Sequence, residues 1–203
     1  MNNKIGNNLS DQLLVERVLR GNTNAFGEII KNTEGLVAQV IFKMINNPED
    51  RKDIAQDIYL KVFHKLPDFK FQSKLSTWIG QITYNTCLNW LEKKKPLLPG
   101  NQHEEKEDKE EAAWLDNRSL NAMDNDTETS FFQKELSEIL QSGIEMLSPI
   151  YKTLITLYHN EELSYEEIGQ ITQLPEGTVK NYLFRARKKL KENLLSTYKR
   201  EEL

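Results

Sequence analysis

The 203-residue sequence predicts an all-α protein of two helical domains joined by a flexible acidic linker. Three observations carry that prediction. Apolar residues recur at helical spacing from Asp11 to about Lys95 and again from Phe131 onward, with no sustained alternation of the kind a strand needs. Residues 96–130, between these blocks, are polar and acidic. Residues 163–195 carry the capping, turn and charge signals of two helices joined by a short turn.

The N-terminal block, residues 11–95, reads as roughly four helices. Leu14 and Val18 mark the first stripe, and Phe26, Ile29, Ile30, Val37, Val40, Ile41 and Met44 follow at helical spacing. Ile54, Ile58, Val62 and Phe63 mark a further helix, and the last runs through Tyr84, Asn85, Asn89 and Trp90. Breaks fall at Gly21-Asn22, at Asn46-Asn47-Pro48 and across Pro67 to Ser73, where turn chemistry interrupts a helix. Pro96 ends the block. Short connections between amphipathic helices favour packing as one bundle.

The connector carries the acidity. Ten acidic and three basic side chains lie between Gly100 and Ser130, whereas the rest of the chain holds 24 basic against 21 acidic residues, so the formal net charge of −4 comes from one segment. With only a few sizeable apolar residues beyond Leu98, Trp114, Leu115 and Met123 among them, the segment cannot bury enough surface to offset its ordering entropy. The C-terminal block, residues 131–198, resumes with Phe131, Phe132, Leu136, Ile139, Leu140, Ile144 and Leu147. It restarts after Ser148-Pro149, a cap followed by proline at the first helical position.

Several classes are excluded. A single cysteine, Cys87, cannot form an intramolecular disulfide, and His64, His103 and His159 lie far apart with no second thiol, so neither metal nor cofactor is expected. Asp53, Asp57 and His64 share a helix but lack a third close ligand or a phosphate loop, which leaves no catalytic constellation and no enzyme. No signal peptide or apolar run of membrane-spanning length is present, so a cytoplasmic protein without membrane insertion is expected.

Ser164 and Glu167 have capping-box spacing, which starts a helix at Tyr165 that runs to about Ile171 and buries Ile168 and Ile171. Thr172-Gln173-Leu174 makes the turn, and Pro175 and Glu176 favour a second helix. On that helix Val179, Leu183, Ala186 and Leu190 form one buried stripe, turning Gly177, Lys180, Asn181, Phe184, Arg185 and Lys188 outward. Pro175 to Leu195 holds six basic residues against two acidic ones, a stripe suited to phosphate. A helix in the major groove reads bases from its N-terminal turns. Lys180, Asn181, Phe184 and Arg185 are therefore the candidate readers, with Thr178, Arg187 and Lys188 better placed for phosphate.

The stretch LSYEEIGQITQLPEGTVKNYLFRARKKL resembles the fourth conserved region of bacterial RNA polymerase sigma factors of the extracytoplasmic-function (ECF) type, whose helix-turn-helix reads the −35 promoter element. It departs where the family usually has glycine in the turn, here Gln173, and alanine in the first helix, here Gly169. A left-handed backbone at Gln173 and a glycine within a helix would each cost on the order of 1 kcal/mol.

The N-terminal block extends the resemblance. Residues 48–63, PEDRKDIAQDIYLKVF, look like the sigma helix that docks on the clamp coiled coil of the polymerase β′ subunit. Asp53, Gln56, Asp57 and Leu60 share one face opposite Ile54, Ile58 and Val62, and the two carboxylates can meet arginines of a partner helix. Asp57 replaces the family's usual glutamate. Residues 69–79, FKFQSKLSTWI, and the helix after them resemble the segment that melts and captures the −10 element. Holding unstacked bases takes polar loop groups, aromatics and cations. The candidates are Lys70, Phe71, Gln72, Ser73, Lys74, Ser76, Thr77, Trp78, Tyr84 and Asn85, with Trp78 favoured as core by its helical spacing. Family members often carry arginine where this chain has Gln81, Tyr84 and Glu92.

The resemblance implies a sigma factor that binds core RNA polymerase, through the β′ clamp coiled coil and the β flap, and directs promoter-specific transcription initiation. Promoter DNA is the second partner and an anti-sigma factor a candidate third. The family's connector threads polymerase channels, which makes the acidic run Glu104 to Glu111 a candidate occupant of a basic channel. Two rival readings stay open from the residues alone: a stand-alone helix-turn-helix transcriptional regulator, and a polymerase-binding adaptor without promoter selectivity.

Overall fold

The computed structural model describes the backbone of residues 2–94 and 127–201, with side chains over residues 10–94 and 136–196. The described residues are helical and contain no strand. The elements are α1 (Asn2–Leu19), α2 (Thr23–Met44), α3 (Pro48–Lys65), a 3-10 turn (Leu66–Asp68), α4 (Leu75–Lys94), α5 (Thr127–Glu145), α6 (Pro149–His159), α7 (Tyr165–Thr172) and α8 (Glu176–Glu201). Most of the acidic connector expected over 96–130 lies outside the described residues. Its last four positions already belong to α5, and α1 begins at Asn2, well before Asp11.

Local chemistry accounts for the helix starts. Asn22 Oδ1 accepts from the Ala25 N–H at 3.2 Å to open α2, and Asn47 Oδ1 accepts from the Glu49 N–H at 2.9 Å to open α3 ahead of Pro48. The cap of α4 comes from far away: Asp11 on α1 accepts from the Leu75 N–H at 3.0 Å. A side chain 64 positions upstream thus satisfies a donor that the local sequence leaves orphaned.

In the N-terminal half, α2 supplies Ile29, Val37, Val40 and Met44 to a core completed by Ile58 and Val62 of α3 and Ile79 of α4, all buried. Cys87 is buried with them, and burial pushes its thiol up to about 12 against the opposing pull of Lys61. In the C-terminal half, Leu154, Leu157, Ile168, Ile171, Val179, Leu183 and Ala186 are each 0 % exposed. Gly143 on α5 lets α8 approach closely: a Cβ there would stand 2.9 Å from the side chains of both Leu190 and Leu194.

The two halves share a seam. α4 packs on α7 and α2 on α6, so that one apolar cluster runs through both halves. Gly80 makes the seam possible, since a Cβ there would lie 3.1 Å from the Ile171 side chain and 3.3 Å from Leu36 Cδ2. Ile171 therefore fills space that any larger residue at position 80 would contest, and its burial alone contributes about 1.5–3 kcal/mol. Polar ties flank this contact. Lys74 Nζ lies 2.7 Å from Glu167 Oε1, and Lys43 Nζ lies 2.6 Å from Glu145 Oε1, whose other oxygen meets Lys152 Nζ at 3.1 Å.

Candidate nucleic-acid interface

The helix-turn-helix is built from α7 and α8. Its entry is a complete capping box: the Ser164 hydroxyl accepts from the Glu167 N–H at 3.2 Å, and Glu167 Oε2 accepts from the Ser164 N–H at 3.0 Å. The turn explains both unusual residues. Gln173 is left-handed at φ 59°, and its N–H, with that of Leu174, points back to the Gly169 carbonyl. This brings the Leu174 carbonyl oxygen to 2.8 Å from where a Cβ on residue 169 would sit, so glycine is required there by close approach.

On α8, Val179, Leu183 and Ala186 are fully buried and Leu190 partly so, which turns the opposite side outward as expected. Gly177, Lys180, Asn181, Phe184 and Lys188 are exposed, while Thr178, Arg185 and Arg187 are half-buried. Lys180 pairs with Glu176 at 2.8 Å, one helical turn away.

A cluster that the sequence reading missed lies beside this face. Tyr158 on α6 and Tyr165 on α7 stack with ring centroids 5.1 Å apart and planes within 10°. Lys180 Nζ stands 5.4 Å from the Tyr165 centroid, and the Arg187 guanidinium 5.0 Å from that of Tyr158. His159 completes it, with Nε2 3.5 Å from an Arg187 nitrogen. Burial and the neighbouring Arg187 charge hold the His159 imidazole below its ordinary value. Only the fold brings these residues together, because Tyr158 and Tyr165 lie on different helices and show no local pattern.

On α3, the expected polar face is fully presented. Asp53, Gln56, Asp57 and Leu60 are all exposed, Leu60 at 59 %, while Ile54, Ile58 and Val62 are buried. Asp57 pairs with Lys61 at 2.6 Å.

The loop from Phe69 to Lys74 is pinned by aromatic packing. Phe69 is buried, with Phe71 at 4.7 Å and Trp78 at 5.0 Å between ring centroids, so Trp78 packs inward as its spacing favoured. Phe71 is left-handed at φ 55°. Lys70 and Gln72 are exposed, and Ser73, Lys74, Ser76 and Asn85 half-buried. Thr77 and Tyr84 are buried, and the Tyr84 phenol is raised by burial and by Tyr182 of α8. In the closed arrangement neither side chain reaches solvent.

Comparison with known proteins decides the family. The Sigma-70 region 2 family matches residues 29–96 and the Sigma-70, region 4 family residues 137–190. The ECF RNA polymerase sigma-E factor of Haemophilus influenzae is 32% identical over 92% of this chain and 96% of its own length. The chain belongs to the ECF sigma factors of RNA polymerase. Other sigma factors agree: the sigma-E factor of Escherichia coli K12 is 32% identical over 88% of this chain and 91% of its own, and SigW of Bacillus subtilis 30% over 89% and 94%.

Solved sigma-factor structures share the fold. CnrH, in complex with the cytosolic domain of CnrY, superposes with a TM-score of 0.61 at 19% identity, covering 92% of this chain and 97% of that one. RpoE from Bartonella quintana, in complex with the anti-sigma factor NepR, gives 0.56 at 19% identity over 83% and 96%. The region 2 match starts within α2 and ends just past α4, and the region 4 match runs from the second half of α5 through the first half of α8. This sigma factor directs promoter-specific transcription by RNA polymerase, and among its described residues no helix is long and apolar enough to cross a membrane.

Proposed function

We propose that this sigma factor grips its promoter at two points, with residues 11–95 and 131–198 acting as separate domains tethered by 96–130. The α3 face of Asp53, Gln56, Asp57 and Leu60 docks on the β′ clamp coiled coil. Gly177, Thr178, Lys180, Asn181, Phe184, Arg185, Arg187 and Lys188 meet the −35 element, and the Lys70 to Trp78 loop with Tyr84 and Asn85 takes the melted −10 strand. The β flap is the second polymerase contact. All chemistry belongs to the polymerase, and the protein works in the cytoplasm.

The observation that carries this reading is the outward side of α8, basic and accessible opposite a stripe with no exposure at Val179, Leu183 and Ala186. The seam adds a step. Lys74 is tied to Glu167, and Thr77 and Tyr84 are covered, so reaching the −10 strand with these residues requires the halves to separate. Core polymerase, by holding α3, would favour the separated form. An anti-sigma protein, such as the one bound by the Bartonella quintana relative, would favour a masked one.

Purified protein tested with and without core polymerase on promoter libraries separates the readings. A sigma factor needs the core for tight, specific binding and starts transcripts. Sequence-specific binding without the core would make it a stand-alone regulator, and core binding without sequence selection an adaptor.

A further inference from the structure

Arg187 lies among hydrogen-bonding groups and, among the described residues, is in no ion pair with an acid. Its guanidinium covers the Tyr158 ring and stands 3.5 Å from His159 Nε2, and its charge works to lower the Tyr165 phenol. The two tyrosine hydroxyls are 3.5 Å apart. Among the described residues no carboxylate forms an ion pair with Arg187. The neighbouring acids are occupied elsewhere, Glu176 on Lys180 and Glu167 on Lys74 and Ser164. The groups that face His159 are Tyr158 of α6 and Arg187 of α8, Tyr165 of α7 stacks on the far side of that contact against Tyr158, and Arg187 is the one charge that acts on the His159 titration. His159 is exposed, and Tyr158, Tyr165 and Arg187 are half-buried, so an anion can enter.

We propose that Tyr158, His159, Tyr165 and Arg187 form a phosphodiester clamp beside the recognition helix, in which His159 takes up a proton from solvent as the DNA backbone is bound. The proposal rests on the promoter-binding reading of α8 and deepens it. Arg187 lies seven residues beyond Lys180, about 10 Å along the same side of α8 at 1.5 Å per residue. The stacked tyrosines bridge that interval, so the clamp extends the basic side of the recognition helix outward rather than forming a detached patch.

In the free protein the neutral imidazole can accept a hydrogen bond from Arg187 at Nε2. A phosphate oxygen seated between them reverses that role. It accepts from the guanidinium and the phenols, and its negative charge favours the imidazolium, whose Nε2–H then also donates to it. Binding and protonation are linked, so promoter affinity rises as pH falls through the window between the free and bound imidazole values. The free value lies on the low side of 6.5, and the bound value is higher.

Two measurements test the clamp. The chain has three histidines, His64, His103 and His159, so His159→Gln assigns the ring resonance of residue 159 in the full-length protein. Adding inorganic phosphate should raise the titration midpoint of that ring by about one unit, and Arg187→Ala should abolish the rise. An unmoved midpoint overturns the clamp, whatever the promoter experiments give.

In holoenzyme assembled with core polymerase, on a promoter selected from the library, affinity should gain up to about tenfold between pH 8 and pH 6. His159→Gln should remove that gain, so that the variant's affinities at pH 8 and pH 6 agree within about twofold. If His159→Gln keeps the full pH dependence, the site does not hold the DNA backbone and the assignment falls. Failure of the holoenzyme to select any promoter would instead count against the promoter reading, with the phosphate titration still deciding the clamp.

Discussion

Lys74 and Glu167 join the two halves of the molecule at 2.7 Å, and Glu167 serves at the same time as the far end of the capping box that starts α7. One carboxylate thus holds the entry of the helix-turn-helix and ties it to the loop assigned to the −10 strand. Lys74→Glu should set two carboxylates against each other and loosen the seam. Small-angle scattering of the free protein should then give a larger radius of gyration than the wild type. An unchanged radius would show that the Gly80–Ile171 contact, the packing of α2 on α6 and the Lys43–Glu145 pair hold the seam without Lys74.

Acid should weaken the same contacts. Burial works to raise the Glu167 carboxyl, but the hydrogen bonds from Lys74 and Ser164 and the Lys74 charge outweigh it and leave the group below its ordinary 4.5. Glu145 behaves alike, with Lys43 and Lys152 outweighing burial. Both acids have depressed folded values, so their contribution to stability is fully present above 4.5 and is lost as pH falls through those lower values. Glu167→Gln and Glu145→Gln should each flatten urea-unfolding stability against pH between 5 and 3. The Glu145 effect should be the smaller, because its side chain stays 46 % exposed.

The turn offers a paired test. Gln173→Gly should stabilise the protein by about 1 kcal/mol, by removing the cost of a left-handed side chain. Gly169→Ala should destabilise it by about 1–3 kcal/mol despite alanine's better helix propensity, because the new Cβ meets the Leu174 carbonyl oxygen. Thermal unfolding of the two single variants checks both signs.

Reading and phosphate contact on α8 separate in binding assays with holoenzyme. Lys188→Ala should reduce the log–log salt slope by about one unit across all promoters. Asn181→Ala should instead relax discrimination at a single base pair by about 1–3 kcal/mol. Equal effects on every sequence in both variants would remove Asn181 from the readers.

On α3, Leu60→Ala and Asp53→Ala should weaken binding to core polymerase by about tenfold or more each, with no change in melting temperature. Both residues are exposed and neither supports the core, so the fold does not depend on them. Retained affinity in both variants would move the docking face elsewhere.

How much of this was legible beforehand follows a physical line. The Ser164 to Glu167 box, the Val179–Leu183–Ala186 stripe and the α3 face are relations within one or two turns of a helix, and periodicity reports those directly. Gln173 was legible too, as a left-handed residue where glycine is usual. Out of reach were relations between distant positions. Asp11 capping α4, Ile171 filling the space over Gly80, and Lys43 sharing Glu145 with Lys152 all need the chain folded before the partners meet. Tyr84 illustrates the cost: its helix position makes it a candidate DNA-facing aromatic, yet it is buried, with Tyr182 of α8 near enough to raise its phenol. Gly169 was judged a weakness by helix propensity alone, although the turn two residues past its helix requires it.

The buried thiol has a consequence for signalling. At neutral pH a cysteine titrating near 12 is a thiolate in on the order of one molecule in a hundred thousand, and Cys87 has no exposed surface through which a peroxide or a disulfide could reach it. The only sulfhydryl in the chain is thereby withdrawn from redox chemistry. Thiol oxidation that changes which genes this factor serves must act on another protein, and the factor itself can keep working while the thiols around it are being consumed.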